Sequence, residues 1–61
     1  MALPKDPFML LSYINTQLRD NFSSFSELAA SLGEDEEQIS KTLAGAGFIY
    51  DSGLNRFVTK E

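Results

Sequence analysis

Residues 27–39 read Glu27-Leu28-Ala29-Ala30-Ser31-Leu32-Gly33-Glu34-Asp35-Glu36-Glu37-Gln38-Ile39, which is the spacing of a helix-turn-helix corner. Ala29 stands where a small side chain lets two helices cross closely. Gly33 stands where the connecting turn needs a left-handed residue, and Ile39 where an apolar side chain fills the crossing. The pattern therefore predicts two short helices packed across a tight turn.

Capping signals set the limits of the helices. Asp6 is a good N-cap, and Pro7 suits the first helical position because it loses no needed N–H. Ser24 and Glu27 form a capping box, in which each side chain is expected to accept a hydrogen bond from the other residue's backbone. Asp35 caps a further helix. These signals predict helices over residues 7–20, 25–32 and 36–45.

The apolar period changes from 3.6 to 2 after the last helix, which indicates a β-hairpin. Strands are expected over 48–51 and 56–59, joined by the turn-forming residues 51–55. The expected fold is mainly α: three short helices followed by a two-stranded hairpin, in a reduced winged-helix arrangement. The expected core consists of Leu11, Ile14, Leu18, Phe25, Leu28, Leu32, Ile39, Leu43, Phe48 and Phe57.

The first helix carries more apolar residues than one stripe accommodates. A helical wheel centred on Leu11 predicts one apolar stripe, with Leu10 on its flank, formed by Phe8, Leu11, Ile14 and Leu18. Met9 and Tyr13 fall at about 160° and 200° on the same wheel. This pair, with Leu54 at the hairpin tip, is the expected contact surface for an unknown protein partner or for a second copy in a homodimer.

Length and composition exclude several classes of function. The chain has 61 residues, which predicts a single domain over 1–61 with flexible ends at 1–5 and 60–61. It has no Cys and no His, so we expect no enzyme activity, no metal and no cofactor. No apolar run approaches a membrane span, and no signal peptide is recognised, so a cytoplasmic protein without membrane contacts is expected.

DNA binding is the alternative function for this element order. The third helix would present to a groove three carboxylates, a hydroxyl and an amine, from Asp35, Glu36, Glu37, Ser40 and Lys41. The hairpin adds Arg56 and Lys60 as further nucleic-acid contacts. Because carboxylates repel phosphates and the net charge is −4, no nucleic-acid partner is favoured.

Other polar groups have simpler interpretations. Consecutive helical carboxylates over 34–37 point about 100° apart, so they favour a solvated helix start over a cation site. The loop 51–55 lacks the order of a calcium loop and favours a plain turn. Asn15 and Arg19, four residues apart beside the apolar stripe, are expected to hydrogen-bond the helix to a loop or the hairpin, with ligand binding as the alternative.

Motifs along most of the chain resemble a small bacterial family of about sixty residues, catalogued as DUF4250, a domain of unknown function. The resemblance rests on Asp6-Pro7-x-Met9-Leu10-Leu11-Ser12-x-x-Asn15-x-x-Leu18-Arg19-Asp20, and then on Ser24-x-x-x-Leu28, Leu43, Gly47, Tyr50-Asp51 and Asn55-x-Phe57. Ala29-Ala30 stands where many members are expected to carry a Cys, so no thiol role applies here. The resemblance implies a stand-alone bacterial protein and no particular activity. The expected function is a small non-enzymatic interaction or adaptor module.

Overall fold

A computed structural model describes residues 3–60. It contains, in order, α1 (Pro7–Asp20), α2 (Phe25–Leu32), α3 (Glu36–Gly45), β1 (Phe48–Asp51) and β2 (Arg56–Thr59). The expected three helices and antiparallel hairpin are confirmed, with their boundaries. Of the ends expected to be flexible, Met1, Ala2 and Glu61 lie outside the described residues. Within residues 3–60, no helix combines the length and the apolar character needed to cross a membrane.

The helix starts are capped largely as expected. Asp6 accepts a hydrogen bond from the Phe8 N–H at 2.8 Å, and the Ser24 hydroxyl accepts one from the Glu27 N–H at 3.2 Å. The reciprocal half of the capping box is not formed. The Glu27 carboxylate instead accepts a hydrogen bond from the Ser23 hydroxyl at 2.8 Å. The carboxylate therefore ties down the residue before the cap.

The turn between α2 and α3 forms around Gly33, whose φ of +69° is the left-handed conformation that ends α2. Asp35 then caps α3 by accepting from the Glu37 N–H at 3.0 Å. Gly47, with φ +94°, turns the chain from α3 into β1. The two glycines thus lie where the backbone adopts conformations that strain other residues.

One buried cluster unites all five elements. Ile14, Leu28 and Leu43 contribute one fully buried side chain from each helix. The buried apolar residues are Leu10, Ile14, Leu18, Phe25, Leu28, Ala29, Ile39, Leu43 and Phe57. Three residues expected in the core are only half-buried and pack against its edge: Leu11, Leu32 and Phe48.

The inward face of α1 differs from the expected one by about 60° of rotation. Leu10, expected on the flank, is buried, whereas Phe8, expected in the core, is 63% exposed. Tyr13, expected on the opposite face, packs against the core. The reason is Asn15, which borders the expected stripe and hydrogen-bonds the hairpin. The side of α1 that carries Asn15 and Phe8 therefore faces the hairpin edge and not the helical core.

Aromatic rings pack the hairpin against the helices. Phe57 of β2 contacts the ring of Phe25 edge-on at 4.9 Å between centroids and the ring of Tyr50 at 5.5 Å. At the other end of the hairpin, Phe48 contacts Phe8 edge-on at 5.9 Å. Because a two-stranded hairpin is marginal alone, these contacts are part of what stabilises it.

Replacing Leu28 by Ala should lower the free energy of unfolding by about 2–5 kcal/mol, because the side chain is fully buried between the helices and would leave a cavity. Urea denaturation measures the change. Leu54→Ala is the control, since Leu54 is 59% exposed, and it should stay within about 0.5 kcal/mol of the wild type. Equal losses in the two variants would contradict this packing.

Candidate functional site

Asn15 fastens the hairpin to α1. Its Nδ2 donates to the Phe57 carbonyl at 3.1 Å, and its Oδ1 accepts from the Phe57 N–H at 2.8 Å. Both backbone groups point away from β1, so the amide side chain pairs with the outer edge of β2 as a neighbouring strand would. The expectation that Asn15 ties the helix to the hairpin is confirmed. The same expectation for Arg19 is wrong, because Arg19 pairs with Asp20 of its own helix.

Asn55 makes the second attachment. Its Nδ2 donates to the carbonyls of Leu18 and Phe22, at 3.2 and 3.0 Å, which lie at the end of α1. Its Oδ1 accepts from the Tyr50 hydroxyl at 2.6 Å, and that hydroxyl accepts from the Phe25 N–H at 3.4 Å. Asn55 reaches these groups from a left-handed backbone with φ +54°, which asparagine tolerates better than most residues.

The hairpin turn is a structural turn, as its sequence favours. Asp51 Oδ1 accepts from the N–H groups of Gly53 and Leu54 at 2.9 and 3.2 Å. Asn55, at the other end of the turn, hydrogen-bonds the end of α1 instead. The side chains of Asp51 and Asn55 therefore bond different parts of the protein. Among residues 3–60, no group of three acidic side chains is placed to hold a metal ion.

The two asparagine attachments create a groove between α1 and the hairpin tip, which we call the arginine groove. Its volume is about 600 Å³. Both arginines of the chain line it, Arg19 from α1 and Arg56 from the start of β2. The lining residues are Ser12, Asn15, Thr16, Leu18, Arg19, Leu54, Asn55 and Arg56. None of them is acidic, although the chain as a whole carries a net charge of −4.

The two arginine side chains that line the arginine groove are exposed to solvent. The Nε and Nη2 groups of Arg19 donate to the Asp20 carboxylate at 2.9 and 3.0 Å. These hydrogen bonds keep the pKa of Asp20 below its usual value and raise the pKa of Arg19. The side chains are 74% and 48% exposed, so the pair adds little stability. Arg56 makes no ion pair with any of residues 3–60.

The expected partner surface is only partly assembled. Met9 is 62% exposed, and Leu54 is exposed within the arginine groove, but Tyr13 packs against the core. Residues 3–5 do not bury Met9, and they line a smaller groove of about 260 Å³ between Leu10 and α3. Contact of a partner with Met9, Tyr13 and Leu54 stays a prediction.

The residues of the DNA-binding alternative are spread over α3 and both ends of the hairpin. On α3, Ser40 is half-buried and Lys41 is exposed. The N–H of Lys60 donates to Gly47, just after α3. Arg56, in contrast, lies in the arginine groove beside α1. Arg56 and Lys60 therefore lie at opposite ends of β2, and of the two only Lys60 is next to the end of α3.

The sequence does not reveal that Arg19 and Arg56 share a groove with Ser12 and Thr16. The available signal is indirect. Arg19 follows Asn15 by one helical turn, and Arg56 directly precedes Phe57. Because Asn15 bonds Phe57 and β2 runs antiparallel to α1, the residue one turn after Asn15 and the residue before Phe57 lie next to the same groove.

Asn15→Ala should cost roughly 1–3 kcal/mol of unfolding free energy, because it leaves a partly buried N–H and carbonyl of Phe57 without partners. Thermal or urea denaturation measures the loss. Thr16→Ala is the matched control on the next, exposed position and should change stability by less than about 0.5 kcal/mol. If both variants are equally stable, the attachment contributes nothing.

Comparison with known proteins agrees with the family resemblance. The domain of unknown function DUF4250 matches over residues 4–57, which includes all of α1 to β1 and the start of β2. No curated protein and no solved structure matches the chain. The matched range contains both asparagine attachments and the arginine groove. The chain belongs to the DUF4250 family.

Proposed function

We propose that the protein is a non-enzymatic interaction module whose arginine groove binds an acidic segment of a partner protein. The observation that carries this proposal is the position of Arg19 and Arg56. An acidic chain places both of its arginines in one groove. The Asp20 carboxylate pairs with Arg19, but neither it nor any other carboxylate belongs to the residues that line the groove. A carboxylate-bearing ligand therefore meets attraction here and repulsion over much of the remaining surface.

The groove offers the groups that such a ligand needs. A guanidinium binds a carboxylate through two parallel hydrogen bonds, which fixes its orientation as well as its charge. The hydroxyls of Ser12 and Thr16 add donors along α1. Leu54, exposed at the hairpin tip, supplies apolar contact area. This combination suits a peptide that carries two carboxylates and an apolar residue between them.

The same lining supports a role without catalysis. General acid–base chemistry needs a group that takes up and releases a proton near neutral pH. The groove contains arginines, hydroxyls, amides and leucines, and an arginine side chain does not lose its proton in proteins. The groove is thus equipped to hold a ligand by charge and hydrogen bonds.

The surface of α3 supports a protein partner over DNA. Asp35, Glu36 and Glu37 are all exposed at the start of this helix, and Lys41 is the cation that accompanies them. Arg56 lies on the side of the hairpin that faces α1. Affinity for DNA comes largely from cations that neutralise phosphates, so this helix is poorly suited to a DNA groove.

An acidic peptide should bind in the arginine groove. We expect acetyl-Glu-Leu-Glu-Leu-amide, titrated into the ¹⁵N-labelled protein, to shift the amide signals of the groove residues at sub-millimolar to millimolar concentrations. The Arg19→Glu/Arg56→Glu variant should lose these shifts. Lys41→Glu/Lys60→Glu is the control, because it makes the same charge change outside the groove and should retain them. Equal loss in both variants, or no shifts in the wild type, would contradict the proposal.

Duplex DNA should not bind. Electrostatic binding is strongest at low salt, so the most permissive measurement is a fluorescence-anisotropy titration of a mixed-sequence duplex in about 20 mM salt. We expect no saturation up to roughly 100 μM protein. Micromolar binding that weakens steeply with salt, and that Lys41→Glu/Lys60→Glu abolishes, would favour the DNA-binding alternative.

A further inference from the structure

The two edges of the hairpin differ in their hydrogen bonding. Strand pairing places Tyr50 opposite Phe57 and Phe48 opposite Thr59. The Phe57 N–H and carbonyl both bond Asn15, so they point away from β1. The Lys60 N–H donates to the Gly47 carbonyl at 2.9 Å, which agrees with backbone groups that point alternately toward and away from the partner strand. It follows that the backbone groups of Phe48 and Tyr50 point away from β2.

These outward groups of β1, which we call the β1 edge, have no partner among the described residues. No hydrogen bond of residues 3–60 reaches the N–H or carbonyl of Phe48 or Tyr50. Unpaired groups along the edge of a strand are a template for pairing with another chain. On the edge of β2, Asn15 pairs with the backbone of Phe57 and leaves the outward groups of Thr59 without a partner among residues 3–60. On the edge of β1 no outward group is paired, and β1 has neither the lysine nor the proline that commonly protects an edge strand.

We propose that the β1 edge binds the β1 edge of a second copy of this chain, in antiparallel register about a two-fold axis at Ile49. Phe48 of each copy lies opposite Tyr50 of the other. Four hydrogen bonds then satisfy all eight outward groups of the two strands. The contact is self-complementary and closes after two copies, because the same edge is used by both. The product is a four-stranded antiparallel sheet.

Side chains on the outer face of the sheet fit this register. Ile49 is 43% exposed, and its neighbour in the hairpin is Val58. The two-fold axis places the two Ile49 side chains opposite each other, with Cβ atoms about 4.5–5.5 Å apart. The resulting row reads Val58, Ile49, Ile49 and Val58 across four strands. It buries apolar surface that is exposed in a single copy.

Charges are also complementary in this register. Asp51 of one copy lies opposite Gly47 of the other, and Gly47 is paired with Lys60 across its own hairpin. Gly47 has no side chain between the acidic and the basic residue. Arg56 lies on the other side of Asp51 in the same row. The row therefore alternates in sign, and no like charges face each other across the new contact.

The dimer is tested by sedimentation equilibrium from about 10 μM to about 1 mM, because a contact this small is expected to be weak. The wild type should associate with concentration. Ile49→Lys should weaken association at least tenfold, since it places two like charges on the axis. Ser31→Lys introduces the same charge at an exposed residue of α2, outside β1, and should associate as the wild type does. A wild type that stays monomeric at 1 mM would overturn the proposal.

The register is tested by amide exchange. Raising the concentration should slow hydrogen exchange at Phe48 and Tyr50, while Ile49, whose N–H points toward β2, should change little. A synthetic chain with an ester in place of the Tyr50 peptide N–H removes one outward donor and keeps the hairpin bonds. It should dimerise at least tenfold more weakly. Association without slower exchange at Phe48 and Tyr50, or unaffected by the ester, would place the contact elsewhere and overturn the proposal.

Discussion

The fold depends on the hydrogen bonds that two asparagines make between the hairpin and α1. A two-stranded hairpin buries too little surface to be stable alone, and this chain has no cysteine to brace it. Asn15 occupies the edge of β2, and Asn55 satisfies two carbonyls at the end of α1. Each amide uses both its donor and its acceptor, so neither leaves an unpaired polar atom between hairpin and helix.

The attachments also determine what remains at the surface. Because Asn15 turns its side of α1 toward the hairpin, Phe8 leaves the core and covers Phe48 instead. Arg19, one turn beyond Asn15, arrives beside Arg56. The same contact that stabilises β2 thus pairs Phe57 at one edge of the hairpin and helps to form the arginine groove, while the outward groups of Phe48 and Tyr50 at the β1 edge have no partner among residues 3–60. The packing of the hairpin and both candidate binding surfaces therefore depend on which face of α1 contacts the hairpin.

Local signals in the sequence were sufficient to predict the elements but not the face of α1. Caps at Asp6, Ser24 and Asp35 act on backbone groups within three residues, so they mark helix starts without knowledge of the fold. The orientation of α1 depends on Asn15 binding Phe57, 42 residues away. A helical wheel treats Asn15 as a polar interruption of an apolar stripe. Only the position of the hairpin shows that the polar residue has a backbone partner there.

The candidate site, like the face of α1, is only partly predictable from the sequence. Arg19 and Asn15 are recognisable from sequence as polar residues beside the stripe, but their roles separate in the structure. Asn15 is bonded to backbone groups of the hairpin, whereas Arg19 holds an exposed pair with Asp20. Arg56 shares the groove with Arg19 because of the long-range contact between Asn15 and Phe57. The spacing of the two arginines along the chain does not predict that they lie together.

The two proposed surfaces lie on opposite edges of the hairpin and do not compete. The arginine groove adjoins α1 and the edge of β2 that Asn15 binds, and the β1 edge is the opposite edge of the two-stranded sheet. A dimer joined at Ile49 therefore keeps both grooves open. If the proposed dimer forms, a partner with two acidic segments of suitable spacing would meet the second groove at a high effective concentration, which raises affinity by about 10²–10⁴ without any new contact. For a groove that relies on two arginines and one leucine, such pairing is the physical route from weak single contacts to a specific complex.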